Sequence, residues 1–187
     1  MPAEGFAPTL LIAMPQLVDS NFARTVVLLC KHGEDGALGF IVNRPVDTTA
    51  GELLALDPPP APSHALTVWE GGPVSPERGW LLCRSVPRDG EGFEVCDGIY
   101  MSSSQAALKQ ILAGDPRDCE ADRSRLLLGY AGWGPGQLDA EMTASAWLNI
   151  PVDVGLVFDT PAADLWQSAL RTLGVDPIAL APAPGIH

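Results

Sequence analysis

Residues 25–45 read TVVLLCKHGEDGALGFIVNRP, and this stretch sets the fold class. Thr25–Cys30 is apolar and β-branched, as strands are. Gly33-Glu34-Asp35-Gly36 supplies a polar turn, after which Ala37–Val42 resumes the apolar run. The pattern predicts a β-hairpin with a four-residue loop. Pro45 cannot donate to a ladder, so Asn43-Arg44-Pro45 closes the second strand.

Outward from the hairpin, Thr9–Met14 reads as a short strand and Asp19-Ser20-Asn21 as a turn. Thr48 or Thr49 can cap a short helix through Leu56. Asp57–Pro62 is stiff and extended, a surface excursion rather than a domain linker. Leu66–Trp69, Gly79–Cys83 and Ile99–Met101 read as strands, with Arg84–Asp97 a polar connection. Ser102-Ser103-Ser104 offers an N-cap for a helix over Gln105–Ala113, stopped by Gly114. Ser124–Tyr130 is the most apolar strand and runs into the glycine-rich Ala131–Gly136. Gln137–Leu148 reads as a helix and Val152–Phe158 as a strand. Thr160 as N-cap with Pro161 at the first position starts a last helix. That helix carries Leu165, Trp166, Ala169, Leu170 and Leu173 on one face and ends at Gly174. Hairpins first and helices later predict an α+β domain with a mixed, mostly antiparallel sheet and flanking helices. One domain is expected over 1–187, with mobile termini at 1–8 and 177–187.

The chain has 187 residues, 47% of them hydrophobic and 18% charged, enough apolar surface to offset chain entropy. Gly (19) and Pro (18) point to many turns rather than a low-complexity polymer. The net charge of −12 argues against a protein whose main business is gripping phosphate backbone, and no DNA-reading motif appears among the modest basic clusters Arg78/Arg84/Arg88 and Arg117/Arg123/Arg125. The first charge is Glu4 and Pro15 cuts the first apolar run, so no secretory signal is read and a cytoplasmic protein without a membrane span is expected. Cys30, Cys83, Cys96 and Cys119 include no C-x-x-C pair, and Cys30 with His32 is only half of a metal site, so no metal and no cofactor are expected.

Three segments could carry function. The strand, glycine-rich loop and helix around Trp133, Gly134 and Gln137 have the context of a phosphate cradle, but Gln137 and Pro135 break the dinucleotide and P-loop patterns. The loop is either a tight turn with Trp133 as a lid or a ligand-facing loop. Glu70-Gly71-Gly72 lets backbone come close to a partner, or is a turn with a surface ion pair. Asn43 and Arg44 end a strand, where Arg44 can hold a carboxylate or phosphate, or pair with an acid such as Glu70. There is no G-x-S-x-G elbow, and His32, His64 and His187 have no evident nucleophile partner. Asp139 and Glu141, two apart on a helix, read as a solvated face.

The blocks Leu11-Ile12-Ala13-Met14-Pro15, Asn21-Phe22-Ala23-Arg24-Thr25-Val26, Gly39–Pro45, Gly71-Gly72-Pro73-Val74 and Gly129–Leu138 resemble the signature of the YqgE/AlgH family. Trp147-Leu148, Phe158-Asp159-Thr160-Pro161, Trp166 and Leu173-Gly174-Val175 follow its pattern, which departs only in 58–62. The resemblance implies a bacterial cytosolic α+β domain with a bent or bifurcated sheet and no established enzyme activity. One branch is labelled a transcriptional regulator of alginate synthesis. The residues themselves favour a non-enzymatic binding or indirect regulatory module, with a protein partner or a small anionic ligand at Asn43, Arg44, Glu70, Gly71, Gly72, Trp133, Gly134 and Gln137. The alternative is an enzyme on a small anionic or phosphorylated metabolite. Arg44 would hold the anion, the Gly132–Gly136 amides would stabilise charge and Glu70 would act as acid or base. Direct nucleic-acid binding is not expected.

Overall fold

The computed structural model describes residues 5–17, 19–60, 66–87, 90–114 and 124–180. They divide into two compact units, one made of the chain up to Asn43 and from Ala131 on, the other of Arg44–Tyr130. Expectations for His64, Arg88, Arg117, Cys119, Arg123, His187, Pro62 and the outer termini lie outside the described residues.

The first unit contains β1 (Thr9–Ala13), β2 (Val26–Gly33), β3 (Gly36–Ile41), the end of β9 (Ser124–Trp133) and β10 (Trp147–Ile150), in the order β10-β1-β2-β3-β9, antiparallel throughout. β1 is buried at all five positions, so both faces of the sheet are covered. Leu11, Ala13, Val27, Leu29 and Ile41 pack with Leu138 of α3 (Gln137–Thr143), Trp133 and Trp147. Side chains alternate along a strand, so Leu10 and Ile12 face the other way. α5 (Ala162–Thr172) packs on β1 and β2 and buries Leu165, Trp166, Ala169 and Leu170.

The β2–β3 turn is tighter than its four polar residues predict. Gly33 pairs with Gly36, leaving only Glu34 and Asp35 in the loop. Gly36, at φ +122°, makes this possible, since its missing Cβ would fall on the Trp133 carbonyl.

The second unit contains β4 (Pro45–Thr49), α1 (Ala50–Leu53), β5 (Thr67–Glu70), β6 (Val74–Cys83), β7 (Phe93–Cys96), β8 (Ile99–Ser102), α2 (Gln105–Ala113) and the start of β9. The strand order is β4-β5-β9-β6-β8-β7, with only β5–β9 parallel. Val68, Leu81, Cys83 and Leu126 meet Ala107, Ile111 and Leu112 of α2 in its core. β9 has three partners, β3, β5 and β6, although a strand has two edges, so two of them share one edge in succession. Taken over both units, strand pairing is mixed and mostly antiparallel, with helices packed beside the strands, the α+β class that the sequence predicts.

Helix ends follow capping rules. Thr49 and Glu52 make a reciprocal capping box at α1, and the Thr49 backbone N–H holds the Glu52 carboxyl below its usual range. The Ser104 hydroxyl accepts from the Ala107 N–H at 3.1 Å. Ser104→Ala is expected to cost about 1 kcal/mol, read as a lower urea midpoint with an unchanged m-value.

Several elements differ from the sequence reading. The helix capped by Thr49 ends at Leu53 rather than Leu56. The polar connection 84–97 contains β7, which closes a hairpin on β8 through Asp97-Gly98. The glycine-rich segment is no loop through Trp133, because β9 continues to that residue, paired with β3. The helix from Gln137 stops at Thr143, since Ser145 turns left-handed at φ +58°, and Trp147-Leu148 belong to β10. Val152–Phe158 is not a strand: Asp153 caps α4 (Val154–Asp159), its carboxylate accepting from the Leu156 N–H at 2.9 Å. The cap of α5 is Pro161 rather than Thr160.

Candidate functional site

Around α3, Trp133 and Trp147 are 5% and 2% exposed. Both indole N–H groups donate to the same oxygen, Oε2 of Glu141, at 3.0 and 2.8 Å. Its other oxygen accepts from Gln137 Nε2 at 3.1 Å. Phe22 stacks on Trp133 and meets Trp147 edge-on, with centroids 6.1 and 5.6 Å away. Glu141 is therefore not part of a solvated face. It is the acceptor that fixes two buried rings. Asp139, on a different side of α3, pairs with His32 Nε2 at 3.2 Å.

One amide of the supposed cradle is seen engaged within the chain. Gly132 lies opposite Leu38 in the ladder, and the Gly134 N–H donates to Gln137 Oε1 at 3.0 Å. Gln137 thus closes the turn into α3 from both ends of its side chain. The Asn43 amide is likewise engaged: it accepts from the Val26 N–H and donates to the Arg24 carbonyl, each at 2.9 Å.

In the second unit Arg44 Nη1 lies 3.6 Å from Glu70 Oε1, the ion pair weighed from the sequence. The Glu70 N–H donates to the Arg44 carbonyl, holding the two strand ends together. The Gly71 N–H donates to the Leu128 carbonyl at 2.7 Å. Any Cβ on Gly71 would fall on the Gly129 carbonyl, so the Gly-Gly step serves close backbone approach. The structure thus places Trp133, Gly134 and Gln137 together in one unit and Arg44, Glu70 and Gly71, which precedes Gly72, together in the other, while Asn43 braces the loop before β2.

A cleft of about 460 Å³ opens in the second unit. Leu53, Leu54 and Leu126 line its apolar side, and Glu77, Arg78 and Ser103 its polar side. Glu77 and Arg78 reach it because Ser75–Arg78 bulge out of β6 opposite one residue, Gly129. Sequence reasoning missed this bulge, although Pro76 was the available signal, since a proline inside a strand sits at an edge or a bulge.

Cysteine chemistry has little footing. Cys83 is buried, and burial followed by the charges of Asp97 and Glu94 pushes the Cys96 thiol up, away from the reactive thiolate. Cys30 sits in a β2 irregularity, and His32 is bonded to Asp139. Among the described residues no three His, Cys, Asp or Glu gather as metal ligands, and no helix is long and apolar enough to cross a membrane.

The AlgH-like family model matches residues 10–178. A UPF0301 protein of Laribacter hongkongensis is 40% identical over 178 residues, 94% of each chain. Another from Xanthomonas campestris pv. campestris is 41% identical over 174 residues, 91% of this chain and 90% of its own. The solution structure of AlgH from Pseudomonas aeruginosa aligns with TM-score 0.75 and 36% identity, covering 99% of this chain and 97% of that one. A crystal structure from Corynebacterium diphtheriae shares the fold at TM-score 0.70 and 22% identity, covering 97% and 95% of the two chains. The family match, the identities and the shared fold together make this chain a member of the AlgH-like family.

Proposed function

We propose that the protein is a non-enzymatic binding module that acts as an indirect regulator, through a ligand or partner rather than through DNA. The observation that carries this reading is that the groups singled out from the sequence for acid–base work already have partners inside their own units. Glu70 is paired with Arg44, Glu141 accepts from two indoles and Gln137, and His32 is bonded to Asp139. The ring nitrogen of His32 that has no partner, Nδ1, is buried away from any substrate, and the contacts of the other groups favour a structural use over proton transfer. A cleft of mixed polarity in the second unit offers room for a ligand.

The test is a thermal-shift panel of nucleotides, phosphorylated metabolites and carboxylates, with each compound also assayed for conversion. A ligand at about 100 times its Kd adds about 2.7 kcal/mol. For a chain of this length that raises Tm by about 5–10 °C. A saturable shift without conversion is expected. Turnover of any panel member overturns the reading, and so does tight binding of labelled duplex DNA at low salt.

A further inference from the structure

We infer that Arg24 and Trp166 form a site in the first unit for a small organic carboxylate. This rests on the binding-module reading and gives it a ligand class. Arg24 sits in the loop before β2 at φ +56°. Left-handed backbone costs a side-chain-bearing residue about 1–2 kcal/mol, a cost that Gly would avoid and Asn would reduce. The conformation is braced on several sides. Phe22 and Ala23 N–H groups donate to the Asp19 carbonyl, the Thr25 hydroxyl donates to the Phe22 carbonyl, and Asn43 Nδ2 donates to the Arg24 carbonyl. So much bracing around an unfavourable backbone places one side chain, and that side chain is an arginine.

Its guanidinium lies over the Trp166 ring, 5.3 Å from the centroid. Among the described residues no carboxylate pairs with it, in a chain where 23 acids face 11 Lys and Arg. Trp166 is itself fixed: it is 6% exposed, and its Nε1–H donates to the Ala13 carbonyl at 2.8 Å. Arg24 and Trp166 line a cleft of about 260 Å³ whose other walls include Met14, Pro15 and Leu17.

The chemistry of this cleft selects its occupant. A guanidinium fork matches the two oxygens of a carboxylate. The remaining walls are apolar, so they favour a short hydrocarbon or aryl body. Arg24 is itself exposed, so its guanidinium meets a ligand at the mouth of the cleft, and the apolar walls favour an acid with a hydrocarbon body over inorganic phosphate. The volume lies below the usual range of about 300–1,000 Å³, which suits a small acid rather than a nucleotide.

The experiment is a ¹H–¹⁵N NMR titration of the full chain with benzoate, alongside its neutral analogue benzyl alcohol and inorganic phosphate. Benzoate is expected to give saturable shifts at Trp166 Nε1–H, Arg24 Nε–H and the 23–25 amides. Benzyl alcohol and phosphate should bind about tenfold or more weakly, as should benzoate to Arg24→Asn, which tolerates the left-handed backbone. Benzoate shifts confined to other residues, equal binding of benzyl alcohol, or no saturable shift each overturn the carboxylate site. The wild-type shift pattern decides this even if Arg24→Asn fails to fold. If benzoate fails while a member of the thermal-shift panel binds, the site is wrong and the binding-module reading stands. If the whole panel also fails, the site is wrong and the small-ligand form of the binding-module reading falls with it, leaving the protein-partner form.

Discussion

Glu141→Ala is expected to lower stability by about 3 kcal/mol or more, since hydrogen bonds to a charged group are worth about 1.5–3 kcal/mol each and three are lost, two of them from buried donors. The donors left behind are the indole N–H groups of Trp133 and Trp147, on rings only 5% and 2% exposed, where water reaches them poorly. At about 2–4 °C per kcal/mol, Tm should fall by about 6–12 °C. Glu141→Gln keeps an acceptor oxygen for the indoles but turns an amide toward Gln137, so its loss should be about 1 kcal/mol. Urea titrations followed by far-UV circular dichroism measure both. A loss in Glu141→Ala below about 0.5 kcal/mol, the range of an ordinary surface change, would remove the carboxylate from its structural role.

Gly129→Ala is expected to be comparably damaging, at about 2–5 kcal/mol. Gly129 has φ +73°, which adds about 1–2 kcal/mol for any side chain. Its Cβ would also fall on the Gly72 carbonyl and come within 2.9 Å of the Val74 carbonyl and 3.2 Å of Pro76 Cα. These are backbone atoms of the β6 bulge and its approach, so no rotamer change relieves the clash, and overpacking adds about 1–3 kcal/mol. Gly174 is the control. It ends α5 at φ +69° with nothing within 4 Å of a new Cβ, so Gly174→Ala should show only the backbone cost. Equal losses for the two variants in urea titrations would mean that the close approach at Gly129 contributes nothing. Because the bulge opposite Gly129 carries Glu77 and Arg78 into the larger cleft, the variant should also disturb that cleft.

The hairpin of β2 and β3, the apolar strands β1 and β9, and helices α2 and α5 were legible because periodicity and punctuation agree there. α4 was not, because Val152–Phe158 has the composition of a strand and only Val157 of the helix is buried. Asp153 was the available signal, a cap just ahead of the run. The division between α3 and β10 depends on a non-glycine residue, Ser145, in the left-handed region, and composition does not mark such a position. For the candidate residues, the sequence located Arg44 and Glu70 and foresaw their pairing as one option. It did not distinguish a polar group facing a ligand from one facing its own backbone, as Asn43 and Gln137 do. Asp139 and Glu141 were grouped as solvent-facing because their spacing separates them on a helix. That same separation sends one to His32 and the other to the indoles. Arg24 was visible only inside the block Asn21–Val26, since its importance lies in a backbone angle.

The ring formed by Trp133, Glu141 and Trp147 spans only eight and six residues of chain between its partners. Loops this short close on a timescale of about 10–100 ns and at little entropic cost. The β1–β10 ladder, by contrast, joins Ala13 to Trp147 across most of the sequence. The carboxylate is therefore expected to organise a local unit of chain, turning β9 into α3 and α3 back toward β10 ahead of the distant strands. It prepares the edge on which β1 later docks. The loss in Glu141→Ala should accordingly appear as slower folding more than as faster unfolding.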